Sequence, residues 1–392
     1  MFGRPLRDEW LLDPDLAYLN HGTVGATPRR VLAHQRELAD EIERNPARFM
    51  LRELDDPAGH DTTGPRLRQA AAEVASFVGV DADGLCFVDN ITTGANAVLR
   101  SFPLASGDEI AVTSLGYGAV TYAAQYAARR AGAQVRTIEL PGPGAPAEHF
   151  VDAIARGLGE RTRLLVCDHI TSHTALVLPL AEIAAVARAR GAAVLADGAH
   201  VPGNVALDIP SLGVDWYAAN LHKWALTPRS SGFLWVSEPW REITAPVVTS
   251  WGYGNGLVAE FDHPGTRDPT PFLSAPFALN LLADLGGGSP EAVYRHNHEL
   301  ACWAGEYLGE LVGVPFTTPT EMFGAMVTVA LPASLGATAD DAEQVRLALE
   351  RERIEAPIVV LPGGLAVRVS AQVYVGREDV ERLGTALASL IR

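Results

Sequence analysis

Short apolar runs and helix-period patterns alternate along most of this 392-residue chain. After an N-terminal arm, Ala17-Tyr18-Leu19-Asn20-His21-Gly22 reads as a short strand entering a turn, and an Arg/Glu-rich helical pattern follows over 29–49. From Leu67 onward, runs rich in Val, Leu and Ala recur at 109–112, 135–138, 164–167, 193–196, 216–219 and 232–236. Helical patterns at 122–131 and 180–190 lie between them, and Pro141-Gly142-Pro143-Gly144 reads as a surface loop. Strands alternating with helices at this spacing predict a mostly parallel central sheet sandwiched by helices.

The pattern breaks at Gly286-Gly287-Gly288-Ser289-Pro290. Beyond it come a long helix over 291–311, a strand at 325–330, a helix over 340–351, strands near 358–361 and 366–370, and a last helix over 377–391. That is an α+β unit of about one hundred residues, the size of a second domain. The expected organisation is an α/β fold with an arm, residues 1–25, joining the small domain. A large domain covers 26–288 and a smaller α+β C-terminal domain covers 289–392.

Hydrophobic residues make up 48% of the chain and charged residues 20%, which suits a large core with a smaller second one and argues against disorder. No run of about 18 apolar residues occurs, so no membrane span is expected. The opening residues, with Arg4, Arg7, Asp8 and Glu9, hold no apolar signal core. A formal net charge of −16 argues against nucleic acid or an anionic membrane as partner. Cys86, Cys167 and Cys302 show no metal-ligand spacing, and the first two sit in apolar runs as small buried hydrophobes. These features predict a cytoplasmic protein. His296-Asn297-His298 invites a metal reading, but histidines two apart on a helix do not share a face. A solvated helix face is expected there, and no metal.

Of 31 basic residues, 30 are arginine and only Lys223 is lysine. Genomic base composition can produce such a bias, since arginine replaces lysine on most surfaces. It cannot replace a primary amine whose pKa is lowered and which condenses with an aldehyde. Lys223 is thus a candidate for covalent chemistry. Asp197 ends the strand-like run at 193–196, where ligands bind in open α/β sheets, and Lys223 follows 26 residues later. Pyridoxal phosphate (PLP) needs this pairing: an aspartate to keep the pyridine nitrogen protonated and a lysine to hold the aldehyde carbon. A lysine of lowered pKa also serves as a base at Cα. The spacing alone fits equally well a strand-end aspartate capping a helix and a lysine in a surface turn.

Asp197-Gly198-Ala199-His200 and Asn220-Leu221-His222-Lys223-Trp224 resemble the signature of class V aminotransferases. The resemblance runs through nearly the whole chain and points in particular to isopenicillin N epimerase-like proteins. It is carried further by Tyr18-Leu19-Asn20-His21-Gly22-Thr23-Val24-Gly25, Asp89-Asn90-Ile91-Thr92-Thr93-Gly94-Ala95-Asn96 and Asp168-His169-Ile170-Thr171-Ser172. Ser250-Trp251-Gly252-Tyr253-Gly254, Gly265-Thr266-Arg267-Asp268 and Arg368-Val369-Ser370 complete it. It implies a fold-type-I PLP enzyme with pyridoxal 5′-phosphate as cofactor.

The resemblance also implies roles. Lys223, Asp197 and His200 are the catalytic set, with Lys223 carrying the cofactor. Thr92 and Thr93 open a helix after a strand, where N–H groups, hydroxyls and the helix dipole hold a phosphate. Asn220 and His222 match phosphate-side positions, although many relatives have serine in place of Asn220. Tyr117 matches the aromatic stacked over the ring, and Ser172 and His200 match positions near the 3-hydroxyl. Histidine at 200 departs from the glutamine of some branches. Arg368 matches the arginine that grips the substrate carboxylate, a group a bidentate guanidinium suits. Asn20, His21, Tyr253 and Arg267 are expected around the substrate, with His173 a further pocket residue. Gly265-Thr266 resembles a loop that touches the neighbouring subunit's phosphate, which implies a homodimer with shared active sites.

The expected reaction labilises the Cα–H of an amino acid, or of the amino-acid moiety of a larger metabolite, in a tailoring step of secondary metabolism such as antibiotic biosynthesis. An epimerase needs a second acid opposite Lys223, with His21 or Tyr253 as candidates. The alternative is a C–S β-elimination lyase, or a decarboxylating or deaminating enzyme, acting on a cysteine S-conjugate; an aminotransferase is a further one. Persulfide chemistry on a mobile cysteine is disfavoured, because 349–367 contains none. A non-enzymatic sensor would need a helix-turn-helix module or basic face that the sequence lacks.

Overall fold

In the computed structural model, which describes residues 2–54 and 65–391, the arm forms a two-residue strand, β1 (Ala17–Tyr18). The helix expected over 29–49 runs only from Arg29 to Arg44. Pro46 has no N–H to continue the ladder, and the Asn45 side chain instead accepts from the Arg48 N–H to cap a new short turn.

Seven strands follow: β2 (Leu85–Val88), β3 (Glu109–Thr113), β4 (Gln134–Ile138), β5 (Thr162–Asp168), β6 (Ala193–Asp197), β7 (Trp216–Asn220) and β8 (Gly232–Val236). They form one sheet in the order β2-β8-β7-β6-β5-β3-β4. All pairings are parallel except those of β8, which runs against both its neighbours. Alternate residues feed two separate cores. Leu165, Cys167, Val194 and Ala196 pack on one face, while Leu164, Val166, Cys86 and Leu195 pack on the other. A sheet buried on both faces explains why its strands read as unbroken apolar runs.

A third core gathers around β9 (Met326–Ala330), β10 (Ile354–Glu355), β11 (Ile358–Leu361) and β12 (Gly364–Ser370). β12 lies between β11 and β9 in an antiparallel sheet. Helices Glu291–Val312, Ala339–Arg351 and Arg377–Ile391 cover it, the second opened by a Thr338–Asp341 capping box. The arm joins this core: β1 pairs with β10, and Trp10, Ala17 and Leu19 are buried in it.

The 296–298 stretch is not the solvated face expected of it. Asn297 continues the buried stripe of Val293, Leu300, Ala301 and Ala304 and donates to Gln372 Oε1 at 3.2 Å. His296 packs on Phe2 and His298 on Phe323, both half-buried. Among the described residues, no helix is long and apolar enough to cross a membrane.

Candidate active site

The C-terminal ends of β5, β6 and β7 converge on a cavity of about 510 Å³. This is the crevice that open parallel sheets offer to ligands. Asp168, Asp197 and Asn220 are the last residues of those strands, and the helix Ile91–Ser101 opens toward the same space after β2. Thr92, Thr93, Tyr117, Ser172, Asp197, His200, Asn220, His222 and Lys223 all line the cavity.

Lys223 sits on the turn that follows β7. The Leu221 and His222 N–H groups both donate to the Ser231 carbonyl, at 3.0 and 3.1 Å. From the other side, His21 Nε2 donates to the Lys223 carbonyl at 3.0 Å. The arm passes so close that a Cβ at Gly25 would stand 2.4 Å from the His222 carbonyl oxygen, so that position admits only glycine. The backbone of the lysine is therefore clamped between β8 and the arm. Its Nζ lies 3.2 Å from His200 Nε2. Burial lowers the amine to about 8, against the pull of Asp197. Burial, reinforced by Lys223 and Arg368, holds His200 well below the usual histidine range. The neutral imidazole accepts from the lysine at Nε2, which leaves its proton on Nδ1.

Asp197 is 2% exposed, and burial raises its carboxyl to about 6. One oxygen accepts from the Ala199 N–H at 2.9 Å; the other, Oδ2, is buried with no partner. At the opposite end, Asn90 caps the helix Ile91–Ser101 by accepting from the Thr93 N–H at 3.0 Å. Asn220 Oδ1 accepts from the Ile91 N–H at 2.9 Å, tying this helix to β7. His222 Nδ1 donates to the Ser231 carbonyl at 2.7 Å, and burial keeps the ring neutral with its pKa near about 4.

Arg368 borders the cavity through two of its lining residues. Its terminal nitrogens donate to the Ser172 carbonyl and to the Thr23 hydroxyl, while Nε is buried without a partner. The side chain is 3% exposed and pairs with no carboxylate among the described residues. Burial pulls it to about 10. A desolvated cation of this kind is suited to an anion brought in from outside.

Three buried polar atoms thus lack protein partners: Asp197 Oδ2, His200 Nδ1 and Arg368 Nε. An acceptor fixed at the strand end, a capped helix start with two threonine hydroxyls, and an amine between them fit a ring nitrogen, a phosphate and an aldehyde. The residues present fit PLP. The aminotransferase class-V family model matches residues 17–383, and the chain belongs to that family. It is a PLP-dependent enzyme. It is 35% identical to the isopenicillin N epimerase of Streptomyces clavuligerus, over 98% of this chain and 97% of that protein. It is 32% identical to a probable chloroplastic L-cysteine desulfhydrase of Arabidopsis thaliana, over 97% of this chain and 84% of that protein. Among solved structures, a variant of C-DES with glycine covalently linked to its PLP cofactor shares the fold. Its TM-score is 0.75 and its identity 23%, over 95% of this chain and 96% of that one.

Besides Arg368, which borders it, six of the residues expected at the site do not line the cavity. Asn20 is turned away and donates to Glu355 at 2.9 Å. His21 is fully buried beneath Lys223, where Nδ1 accepts from the Tyr374 hydroxyl and Nε2 holds the lysine backbone. Arg267 lies over the Phe272 ring, 3.8 Å from Asp89. Tyr253 is 74% exposed, and Thr266 is exposed as well. His173 is exposed and outside the cavity, with its carbonyl accepting from Thr328. Conversely, Thr23, Asn90, Ile91, Asp168 and Ala199 line the cavity though sequence reasoning gave none of them a role. The signal for Asn90 was its place before a helix; for Asp168, a carboxylate directly after an apolar, strand-like run.

Proposed function

We propose that this enzyme takes the Cα proton of an α-amino acid, or of the amino-acid moiety of a larger metabolite, with Lys223 as base, and returns it in an epimerase-like reaction. The observation that carries this reading is the Lys223 amine, its pKa lowered and 3.2 Å from a neutral His200, in a cavity bordered by an unpaired Arg368. Bound PLP supplies an electron sink that acidifies the Cα–H and an aldehyde for the substrate's amine. Asp197 holds the ring nitrogen through Oδ2, and Tyr117 covers the ring. Thr92, Thr93 and His222 hold the phosphate, with Asn220 anchoring the helix that presents it. Ser172 and His200 lie on the side of the 3-hydroxyl, and Arg368 orients the substrate carboxylate. The likeness to isopenicillin N epimerases supports a place in secondary metabolism, for instance antibiotic biosynthesis.

A second reading, elimination of sulfur from a cysteine S-conjugate, has one observation in its favour. Neither His21 nor Tyr253 presents an acid to the cavity of its own chain. Incubation in deuterated water with cysteine conjugates and with peptide-like β-lactam precursors separates the two. Deuterium at Cα with inverted configuration supports epimerisation, and pyruvate release supports elimination. A keto acid that retains its β-substituent would overturn both in favour of transamination.

The enzyme is proposed to act as a homodimer with shared sites. Ile243, Val247, Val248, Trp251 and Tyr253 form an exposed apolar stretch, with Trp251 91% exposed, and such stretches mark interaction surfaces. Thr266, exposed as well, would then serve the partner's phosphate end. The separate third core supports a division into 1–25, 26–288 and 289–392, and the free cysteines support a cytoplasmic location.

A further inference from the structure

Asp168 lies in the cavity with no part in the chemistry above. It ends β5 as Asp197 ends β6, and the two are register partners on neighbouring parallel strands. Such positions are about 4.8 Å apart, with side chains on the same face of the sheet. Both are buried, Asp168 at 4% and Asp197 at 2% exposure. Two carboxyls this close and this dry do not both ionise, because each charge raises the cost of the other.

The surrounding groups decide which one keeps the proton. Facing Asp168 are Asp197 from β6, Lys223 from the turn after β7, the Tyr117 N–H from the loop after β3, and the Cys167 thiol of its own strand. Burial and Asp197 favour its neutral form, the Tyr117 N–H and Lys223 oppose them, and the balance raises the carboxyl well above the usual carboxylate range. Asp197 accepts from the Ala199 N–H at 2.9 Å, and that donor and Lys223 hold its rise to about 6, while its Oδ2 is buried at the cavity without a protein partner. Arg368 acts on Lys223 and His200 rather than on either carboxyl.

We propose that Asp168 and Asp197 carry one negative charge between them and that Asp168 keeps the shared proton. Asp168 is then a positioning residue, a neutral acid braced against the Tyr117 loop that leaves Asp197 fully ionised toward the ring nitrogen. The inference rests on the assignment of Asp197 to that nitrogen, but its test does not need turnover.

Infrared spectra of wild-type and Asp168→Asn apo-protein, taken at a pH of about 8, two units above the value of Asp197, read the proton directly. The wild type should show the carbonyl band of a protonated carboxylic acid that Asp168→Asn lacks. Asparagine mimics a neutral acid, so Asp168→Asn should also keep its PLP dissociation constant within about twofold. In Asp197→Asn, the pH at which the Asp168 band disappears should fall by about one unit or more, since its charged neighbour is gone. No band difference, an unmoved midpoint in Asp197→Asn, or a tenfold or larger loss of PLP affinity (about 1.4 kcal/mol) in Asp168→Asn would each overturn the proposal. Wild-type protein that took up no PLP would instead overturn the cofactor reading, a separate result.

Discussion

Replacing Arg368 with alanine removes a buried cation that the protein holds in place without neutralising. Thr23 and the Ser172 carbonyl fix its two terminal nitrogens, Nε has no partner, and no carboxylate pairs with it among the described residues. An incoming carboxylate meets a guanidinium already stripped of water, so the contact falls at the upper end of charged hydrogen bonds, about 3 kcal/mol. That corresponds to a loss of about 100-fold in kcat/KM, mostly through KM. The assay compares an α-amino acid with its methyl ester in wild type and Arg368→Ala. The ester never forms the ion pair and should lose less than about threefold, while Arg368→Lys keeps the charge without the fork and should cost the free acid about tenfold. Thermal melts of both variants separate binding from folding. Equal losses for acid and ester would refute the assignment, because Arg368 would then act on the shape of the cavity and not on the carboxylate.

The Lys223 amine must be neutral to condense with an aldehyde, and burial sets its value near about 8. Uptake of PLP by apo-enzyme should therefore quicken with pH and level off above about 8; a rate still climbing in the range of an ordinary lysine would refute this, and Lys223→Ala should lose both the yellow absorbance and turnover. His21, His169 and His222 are each held near about 4 by burial, below their unfolded value of 6.5. Because the folded values are depressed, their stabilisation is full above about 6.5 and lost as pH falls toward 4, at most about 3 kcal/mol each. Urea midpoints should drop across that window and drop less in His169→Gln; an unchanged slope would refute the buried neutral state. If the sites are shared, mixing Lys223→Ala with a Tyr253→Phe, Thr266→Ala double variant should restore part of the activity that each lacks alone, since a hybrid dimer rebuilds one complete site. No recovery on mixing would argue for independent protomers.

The strands of the central sheet were legible because burial on both faces leaves them uniformly apolar, as in 164–167 and 193–196. The helix over 29–49 was read too long because apolar spacing continues past Asn45, while a single proline decides where the ladder ends. Asn297 was misread for a related reason: a lone polar residue on a helix looks solvated until its partner, Gln372 from 75 residues away, is known. At the cavity, residues at strand ends and helix starts were accessible to sequence reasoning, since open α/β sheets bring those positions together. Register was not. Nothing in the one-dimensional pattern says that Asp168 and Asp197 face each other across β5 and β6, or that the His21 ring turns under Lys223 to bond its carbonyl. Arg368 was recognisable by its motif, but its fixing by Thr23 depends on the arm crossing between the cores.

These contacts tie the choice of reaction to the quaternary structure. In the proposed reaction Lys223 would serve one side of Cα, and epimerisation requires a proton donor on the other. His21 cannot be that donor: both ring nitrogens are engaged, and burial keeps it neutral behind the lysine backbone. Tyr253 has a suitable hydroxyl but points into solvent from its own chain, on the apolar stretch proposed to meet a second copy. Elimination asks for less, since one amine can take the Cα proton and then protonate the departing sulfur. The residues of one chain are thus equipped for elimination, and epimerisation would depend on what a second copy brings in the proposed dimer. Inversion at Cα by the wild-type enzyme that fails in Tyr253→Phe, with Cα exchange retained, would place the second acid across the proposed interface. Retained inversion would remove Tyr253 and require a donor from within the cavity, where the hydroxyls of Thr23 and Ser172 both lie against Arg368.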